Sequence, residues 1–354
     1  MRILYIAVLL ALPLMTASCA TAPKTAMRED PLIGKIIRAS TGGEVNFADL
    51  AEDLAAYDVV YLSEKHDNPM HHAIQERIIR EIAASGRSPA IGFEFFSTHH
   101  TPLLLSLMDS KHAGHPPEVD AMVETQMRRK LGWDDQSDRM WGYYWQLLAV
   151  ARELELTAAG LDLSTSQKRR ITRKGIGGLT PLEKNLLFST ELSDPVYETH
   201  MKSIFRSVHC GMDHGKMTDR LYDTWQARND RMALSITELH AAGQAEKDSD
   251  RRPGPVIVIM GNGHTEYGLG VIDRVHHLNP EISQINLAIT EIFRQPADLE
   301  DYLPPLDLEG YAAVPPADYI WFTQRVSYED PCQRFKESLK KMKGASGGQQ
   351  PTKE

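Results

Sequence analysis

Short runs of apolar and β-branched residues alternate along this chain with longer helical patterns, and this alternation constrains the fold more than any other feature. Strands that alternate with helices build a mostly parallel sheet with helices on both faces. Six runs have the composition of such strands: Asp58–Ser63, Ala90–Phe95, Leu156–Leu163, Pro255–Met260, Gln284–Thr290 and Tyr319–Gln324. We therefore predict an α/β fold built on a mostly parallel sheet.

The segment between the first two runs predicts a helix over residues 70–84. Isoleucines recur along one stripe of this segment, and Asn68-Pro69 supplies a capping residue and a first-turn proline. The long segment from about 100 to 240 is also mainly helical, and we expect it to cap the carboxyl ends of the strands. These parts form one predicted domain over residues 31–343, followed by a disordered tail at 344–354.

The N-terminus has the pattern of an export signal. An apolar run from Ile3 to Leu14 is followed by small residues that lead to Cys19. A run of about a dozen residues is too short to cross ~30 Å of hydrocarbon, whereas small residues before a cysteine suit a lipoprotein signal peptidase. We predict a signal peptide at 1–18, a lipid such as palmitate on Cys19, and a flexible tether at 19–30.

The residue after Cys19 bears on the choice of membrane. Ala20 is not the aspartate that often retains lipoproteins in the inner membrane, so we expect attachment to the outer membrane, facing the periplasm. An oxidising compartment would permit a disulfide between Cys210 and Cys332, but the sequence leaves their separation open. The chain has no CxxCH and no CxxC pair, which excludes covalent c-type haem attachment.

The charge balance bears on the partners. The formal net charge of −9 argues against a nucleic-acid partner. The balance reverses at residues 168–174, Lys-Arg-Arg-Ile-Thr-Arg-Lys. We predict a basic surface loop there, either simply solvated or in contact with lipid head groups or a carboxylate-bearing ligand.

Ionisable side chains close or follow five of the predicted strands. They are Glu64 with His66, Glu94, Asp162, His264 and Glu291. The carboxyl ends of parallel strands lie at one edge of a sheet, where open α/β folds bind ligands. A buried cluster of carboxylates and imidazoles is costly without a cation, a ligand or a shared proton. We therefore predict a pocket at this edge, although each residue alone would also suit a helix cap or a salt bridge.

At these residues the chain resembles the ChaN-like haem-binding lipoproteins. Four blocks carry the resemblance in order: residues 63–75, 92–96, 226–233 and 261–264. The resemblance implies an α/β domain with a helical cap, non-covalent haem binding, haem-linked homodimerisation and a role in iron acquisition or storage. Ser63 stands where the family usually has glycine.

The resemblance implies a haem site formed by Glu64, His66, Glu94, Asp162, Arg228, His264 and a tyrosine that binds the iron. Tyr267, three residues beyond His264, is the first candidate for that tyrosine, followed by Tyr143, Tyr144 and Tyr222. Arg228 and Asp230 are candidate orienting groups, although an ordinary ion pair on a helix surface would explain them equally well.

Two other functions suit the same residues. The Glu-x-His, Glu and Gly-x-x-His pattern is also similar to that of erythromycin esterases and TraB/Tiki-type metalloproteases. Such a hydrolase would use Glu64, His66, Glu94 and His264 to activate water, by general base action or as ligands of zinc or manganese. The third possibility is a non-catalytic structural or metal-binding lipoprotein, in which the cluster only stabilises the fold.

Overall fold

The computed structural model describes residues 28–108, 117–190, 192, 194–211, 215–245, 252–333 and 336. The predicted signal peptide, Cys19 and the predicted tail at 344–354 lie outside these residues. Within them the strands are β1 (Ile36–Arg38), β2 (Gly43–Val45), β3 (Val59–Glu64), β4 (Arg87–Ser97), β5 (Ala158–Asp162), β6 (Arg252–Gly261), β7 (Gln284–Glu291) and β8 (Tyr319–Thr323). The helices are α1 (Phe47–Ala55), α2 (Pro69–Ala84), α3 (Thr101–Met108), α4 (Pro117–Lys130), α5 (Asp138–Glu153), α6 (Thr165–Lys174), α7 (Pro181–Leu187), α8 (Pro195–Val208), α9 (Lys216–Ala245) and α10 (Val271–Leu278).

All of these strands belong to one sheet, in the order β2-β1-β8-β7-β3-β6-β4-β5. The strands β3 to β8 pair in parallel, whereas β1 pairs antiparallel with β8 and with β2. The six parallel strands correspond to the six predicted runs, so the predicted α/β fold is confirmed. The sequence does not reveal the β1–β2 hairpin, because each of its strands has only three residues and no pattern of period two can develop.

Helix α2 begins as the sequence predicts. The Asn68 side chain accepts a hydrogen bond from the backbone N–H of Met70, and Pro69 occupies the first turn, where its missing N–H costs nothing. The stripe that includes Ile78 and Ile79 is fully buried against the sheet. This capped start fixes where the chain leaves β3, and therefore where the side chains after Glu64 lie.

Helices cover both faces of the sheet. Helices α1, α2 and α5 pack on one face, around Leu62, Phe93 and the isoleucines of α2. Helices α9 and α10 pack on the other face, around Tyr61 and Met260. The segment predicted as a cap is helical, but its helices are divided between the layers: α5 packs on one face, α9 packs on the other, and α6 to α8 pack against α9. None of the helices in the described ranges combines the length and apolarity needed to cross a membrane.

The sequence predicts a loop at the basic segment 168–174, but this segment is part of helix α6. Ser164 caps this helix by accepting a hydrogen bond from the backbone N–H of Gln167, whose side chain bonds back to the N–H of Ser164. Ile171 is buried against α9, and this contact turns the flanking Arg and Lys side chains toward solvent. The prediction of a loop rested on charge density alone and overlooked this capping box.

A disulfide joins Cys210, at the end of α8, to Cys332, in the segment after β8. The two Cα atoms are 5.5 Å apart, and the bridge spans 122 residues of sequence. The question that the sequence left open is therefore answered in favour of pairing. Bridges of this kind persist in oxidising compartments.

The connections leave two neighbouring strands in opposite directions. From β3 the chain passes through α2 on one face to β4, whereas from β6 it passes through α10 on the other face to β7. Because β3 and β6 are adjacent, the two connections diverge and leave a crevice at the carboxyl ends of these strands. Open α/β sheets bind ligands at such a switch point.

Candidate functional site

Glu64 is the last residue of β3, and its buried carboxylate is surrounded by neutral donors and imidazoles. The Tyr144 hydroxyl donates to Oε1 over 2.6 Å, and the Gln75 amide donates to Oε2 over 3.0 Å. His66 Nδ1 lies 3.1 Å from Oε1, and His72 Nδ1 lies 3.3 Å from Oε2. Both carboxylate oxygens are therefore engaged by side chains from α2, α5 and the loop after β3, which suits a buried charge.

Glu94, near the end of β4, has a different set of partners. Arg228 of α9 donates to its Oε1 over 2.5 Å, and the backbone N–H of Gly261 donates to its Oε2 over 2.7 Å. His264 Nε2 lies 3.3 Å from Oε1. On its other side, His264 Nδ1 lies 2.7 Å from Asn229 Oδ1, and because that oxygen only accepts, Nδ1 carries a proton.

Asp162 closes β5 and extends the ionic cluster along the edge. Its Oδ2 accepts from Arg228 Nε over 3.0 Å and from Lys168 Nζ over 2.7 Å. Arg228 thus bridges two buried carboxylates that lie on neighbouring strands, Glu94 and Asp162. The Lys168 side chain is one-third exposed, so positive charge reaches the surface at the rim of the crevice.

His66 lies where the Glu64 and Glu94 groups meet. A Cβ atom added at Gly261 would lie 2.8 Å from Cε1 and 3.0 Å from Nε2 of this ring, so only glycine leaves room for it. The ring packs edge-on against Phe95, with the ring centroids 4.4 Å apart. Its side chain is 40% exposed, whereas those of Glu64 and Glu94 are 0% and 5% exposed. His66 is therefore the imidazole through which this cluster reaches solvent.

The electrostatics of the crevice favour charged side chains. Burial opposes ionisation of Glu94, but the charges of His264 and Arg228 outweigh it and hold the Glu94 pKa well below its ordinary value. Burial also lowers the pKa of His66, but the hydrogen bond to Glu64 and the charge of Glu94 outweigh it, so the net shift is upward. The crevice is thus a preorganised set of ion pairs with one exposed imidazole.

The structure brings together most of the residues singled out in the sequence: Glu64, His66, Glu94, Asp162, Arg228 and His264. It does not bring Glu291 into this group. Glu291 instead accepts from Lys65 over 3.2 Å and from Asn68 over 3.1 Å, farther along the same edge. Asp230 is also separate, since it pairs with the buried Arg274. The role of the assembled residues in binding a ligand stays a prediction.

The tyrosines differ in how far they can reach a bound molecule. Tyr144 is fully buried, and burial together with the charge of Glu64 raises its pKa well above the ordinary value. Tyr222 is also buried, and burial raises its pKa as well. Tyr143 is half-buried and stacks on His72, with ring centroids 4.9 Å apart. Tyr267 is half-buried but faces away from the cluster, among residues of β7 and the loops beside it.

Sequence reasoning missed four partners of the cluster. His72 and Gln75 lie in the first block of the resemblance and Asn229 in the third, so the blocks contained them without showing their contacts. The sequence offers Tyr144 only as a candidate iron ligand, and it does not show that the Tyr144 hydroxyl reaches Glu64. No group of three or more His, Cys, Asp or Glu side chains in the described part of the chain is arranged to hold a metal ion. The predicted zinc or manganese set of Glu64, His66, Glu94 and His264 is therefore not formed, because Arg228 and the neighbouring donors occupy the carboxylates.

Comparison with known proteins agrees with this architecture. A family model described as "Haem-binding uptake, Tiki superfamily, ChaN" matches residues 50–275, more than half of the chain. No curated protein sequence matches the chain.

Among solved structures, ChaN of Campylobacter jejuni, described with cofacial haem binding, has a TM-score of 0.57 at 17% identity, over 81% of this chain and 95% of that one. The type III effector HopBA1 has a TM-score of 0.39 at 12% identity, covering 85% of this chain and 98% of its own. An erythromycin esterase, EreC, has a TM-score of 0.38 at 13% identity, covering 77% of each chain. The two lower scores carry no functional argument, and the first shows the shared fold. By its family match, this chain belongs to the ChaN family of haem-binding uptake proteins in the Tiki superfamily.

Proposed function

We propose that this protein binds haem non-covalently at the crevice between β3 and β6. The observation that supports this proposal is the exposed His66 imidazole beside a rim where Arg228 and Lys168 carry positive charge. Haem presents a metal, an apolar face and two carboxylates. Imidazole and phenol groups bind haem iron, whereas guanidinium and ammonium groups pair with carboxylates. The residues present therefore fit the ligand that the family model names.

The proposal also requires a ligand for the haem iron, and the family resemblance implies that this ligand is a tyrosine. Tyr144 and Tyr222 are too deeply buried to reach the iron of a bound haem. Tyr143 is next to the crevice through its contact with His72, and we propose it as the iron ligand. Tyr267, the first candidate from the sequence, faces away from the crevice, and exchanging each of the two tyrosines for phenylalanine tests both.

The direct test is a titration of the purified chain with haemin. We expect a sharpened and shifted Soret band, weakened by His66→Ala and altered by whichever of Tyr143→Phe and Tyr267→Phe removes the ligand. His277→Ala removes an exposed imidazole on α10 and serves as the matched control, with no expected effect. Wild-type spectra identical to those of free haemin would contradict the proposal. Size-exclusion chromatography with and without haemin tests the proposed haem-linked homodimer.

We also propose that the protein is a lipoprotein of the cell envelope, anchored through Cys19 at the outer membrane, where it stores haem or passes it on for iron acquisition. The disulfide between Cys210 and Cys332 supports an extracytoplasmic location, since such bridges persist outside the reducing cytoplasm. Labelling with palmitate tests the anchor. Cys19→Ser should abolish the label and release the protein from the membrane fraction, and unchanged labelling would contradict the anchor.

A hydrolase is the second candidate, and the Glu64–His66 pair favours it. A carboxylate that holds an exposed imidazole by a 3.1 Å contact can support general base action on water. Such an enzyme would show pH-dependent ester or peptide hydrolysis that is lost in Glu64→Gln, without any need for metal. Metal analysis of the same preparation separates this function from a metal-dependent one. If His66→Ala and His264→Ala lower stability without affecting haem or turnover, the cluster is structural.

A further inference from the structure

A second cavity lies on the α10 face of the sheet, beside β7 and β8. Its volume is about 160 Å³, and its walls come from the ends of the strands and from the loops after β6 and β7. The part of the lining that matters here consists of three aromatic rings, Tyr267, Phe293 and Tyr302, and three polar side chains, Asn262, Glu266 and Asp301. Among the described residues that line the cavity, none is a lysine, an arginine or a histidine.

The aromatic wall consists of Tyr267, Phe293 and Tyr302. Phe293 and Tyr302 stack at 4.0 Å between ring centroids, and Phe293 is 41% exposed at the mouth. Tyr267 adopts a positive φ of 60°, a conformation that is costly for a residue other than glycine. Residues held in such conformations cluster at ligand-binding positions. Aromatic faces carry negative electrostatic potential and attract cations.

Two acceptors on the other wall lack partners. Asn262 Oδ1 is buried and has no hydrogen-bond partner among the described residues. Glu266 is exposed at the rim of the cavity, and its carboxylate has no ion pair or hydrogen bond with any described side chain. The buried Asn262 oxygen is costly to leave unpaired, and the carboxylate is free to meet a cation at the rim. Both gain most from a ligand that carries positive charge and, on the same atom or nearby, hydrogen-bond donors.

From the aromatic wall, the unpartnered acceptors and the missing basic residues, we infer that this cavity binds a small organic ammonium ion. The ring faces would contact the apolar substituents around the nitrogen, and Glu266 would balance the charge. The cavity shares none of Glu64, His66, Glu94, Asp162, Arg228 and His264 with the haem crevice, and its one predicted haem residue, Tyr267, faces away from that crevice. The inference therefore does not depend on haem binding.

The test uses choline and its neutral isostere 3,3-dimethylbutan-1-ol, titrated calorimetrically into the full chain without haemin. The isostere has the same shape but no charge, so we expect choline to bind about tenfold or more tightly. Equal affinities would show a merely apolar cavity and would overturn the inference. The absence of choline binding would overturn it as well.

Three variants locate the site. Glu266→Gln should weaken choline binding about tenfold and leave the isostere unaffected, whereas Glu281→Gln, at an exposed glutamate outside the cavity, should change neither. Phe293→Leu keeps apolar volume at the mouth but removes the ring, and it should also weaken choline selectively. It provides an independent result if Glu266→Gln does not fold. Unchanged choline affinity in a folded Glu266→Gln or Phe293→Leu variant would overturn the assignment.

Discussion

Glu64 and Glu94 lie on strands at either side of β6, and both are buried, yet their charges are stabilised by different means. Around Glu64 the donors are a phenol and an amide from packed helices, joined by two imidazoles. Around Glu94 the main partner is a guanidinium, which also holds Asp162. The first carboxylate thus depends on precise helix packing, and the second depends on one ion-pair network. His66 connects the two regions.

The largest effect should come from breaking the ionic region. Arg228→Leu leaves Glu94 and Asp162 without their shared cation in a desolvated place, and we expect a loss of about 3 kcal/mol in the free energy of unfolding. Urea denaturation measures this change. Arg173→Leu, at an exposed position on α6, is the matched control and should change stability by less than about 0.5 kcal/mol. A loss below about 1 kcal/mol for Arg228→Leu would show that Lys168 and His264 suffice to balance the charges of Asp162 and Glu94.

A smaller effect should follow from removing one donor in the Glu64 region. Tyr144→Phe deletes the hydroxyl that donates to a buried carboxylate, and we expect a loss of about 2 kcal/mol. The neighbouring Tyr143→Phe is a strict control, because that half-buried hydroxyl makes no hydrogen bond with a described residue. It should leave stability within about 0.5 kcal/mol of the wild type. Equal losses in both variants would refute the stated role of the hydroxyl.

The pH dependence of stability should test the role of His66, which lies between the two regions. Its folded-state pKa is raised above the unfolded value, so protonated His66 stabilises the native state fully below about pH 6.5. This contribution is lost as the pH rises through the raised folded pKa. The stability difference between wild type and His66→Gln should therefore be larger at low pH than at high pH. A pH-independent difference would contradict the raised pKa.

The sequence predicts the strands and the edge of the site well, for a physical reason. Strand runs and the polar residues that close them are local features, and parallel topology then brings Glu64, Glu94 and Asp162 to one edge. Capping chemistry is equally local, and Asn68-Pro69 gave the start of α2 correctly. Contacts between layers are not local. That Tyr144 reaches Glu64, 80 residues away, depends on how α5 packs on α2.

Tyr267 shows that proximity in sequence does not fix where a side chain points. It follows His264 by only three residues, which made it the first candidate for an iron ligand. The backbone adopts positive φ at Tyr267 and again at Gly268 and Gly270, and the chain turns so that the phenol lines the second cavity. No pattern of residue types predicts a tyrosine in the left-handed conformation, because residues other than glycine rarely adopt that conformation.

The smallest change in stability should come from a substitution that disturbs the contact between the two carboxylate regions and leaves both regions intact. At Gly261 φ is −72°, so alanine is allowed by the backbone, but its Cβ would press on the half-exposed His66 ring, which can swing outward. We expect Gly261→Ala to cost less than about 1 kcal/mol, while the His66 pKa, followed by NMR, falls toward its ordinary value as the contact with Glu64 lengthens. Gly263→Ala is the matched control, since a Cβ there meets open space, and it should leave that pKa unchanged. An unaltered His66 pKa in Gly261→Ala would mean that the ring is held by Phe95 and Glu64 alone, and that the glycine serves something other than the imidazole.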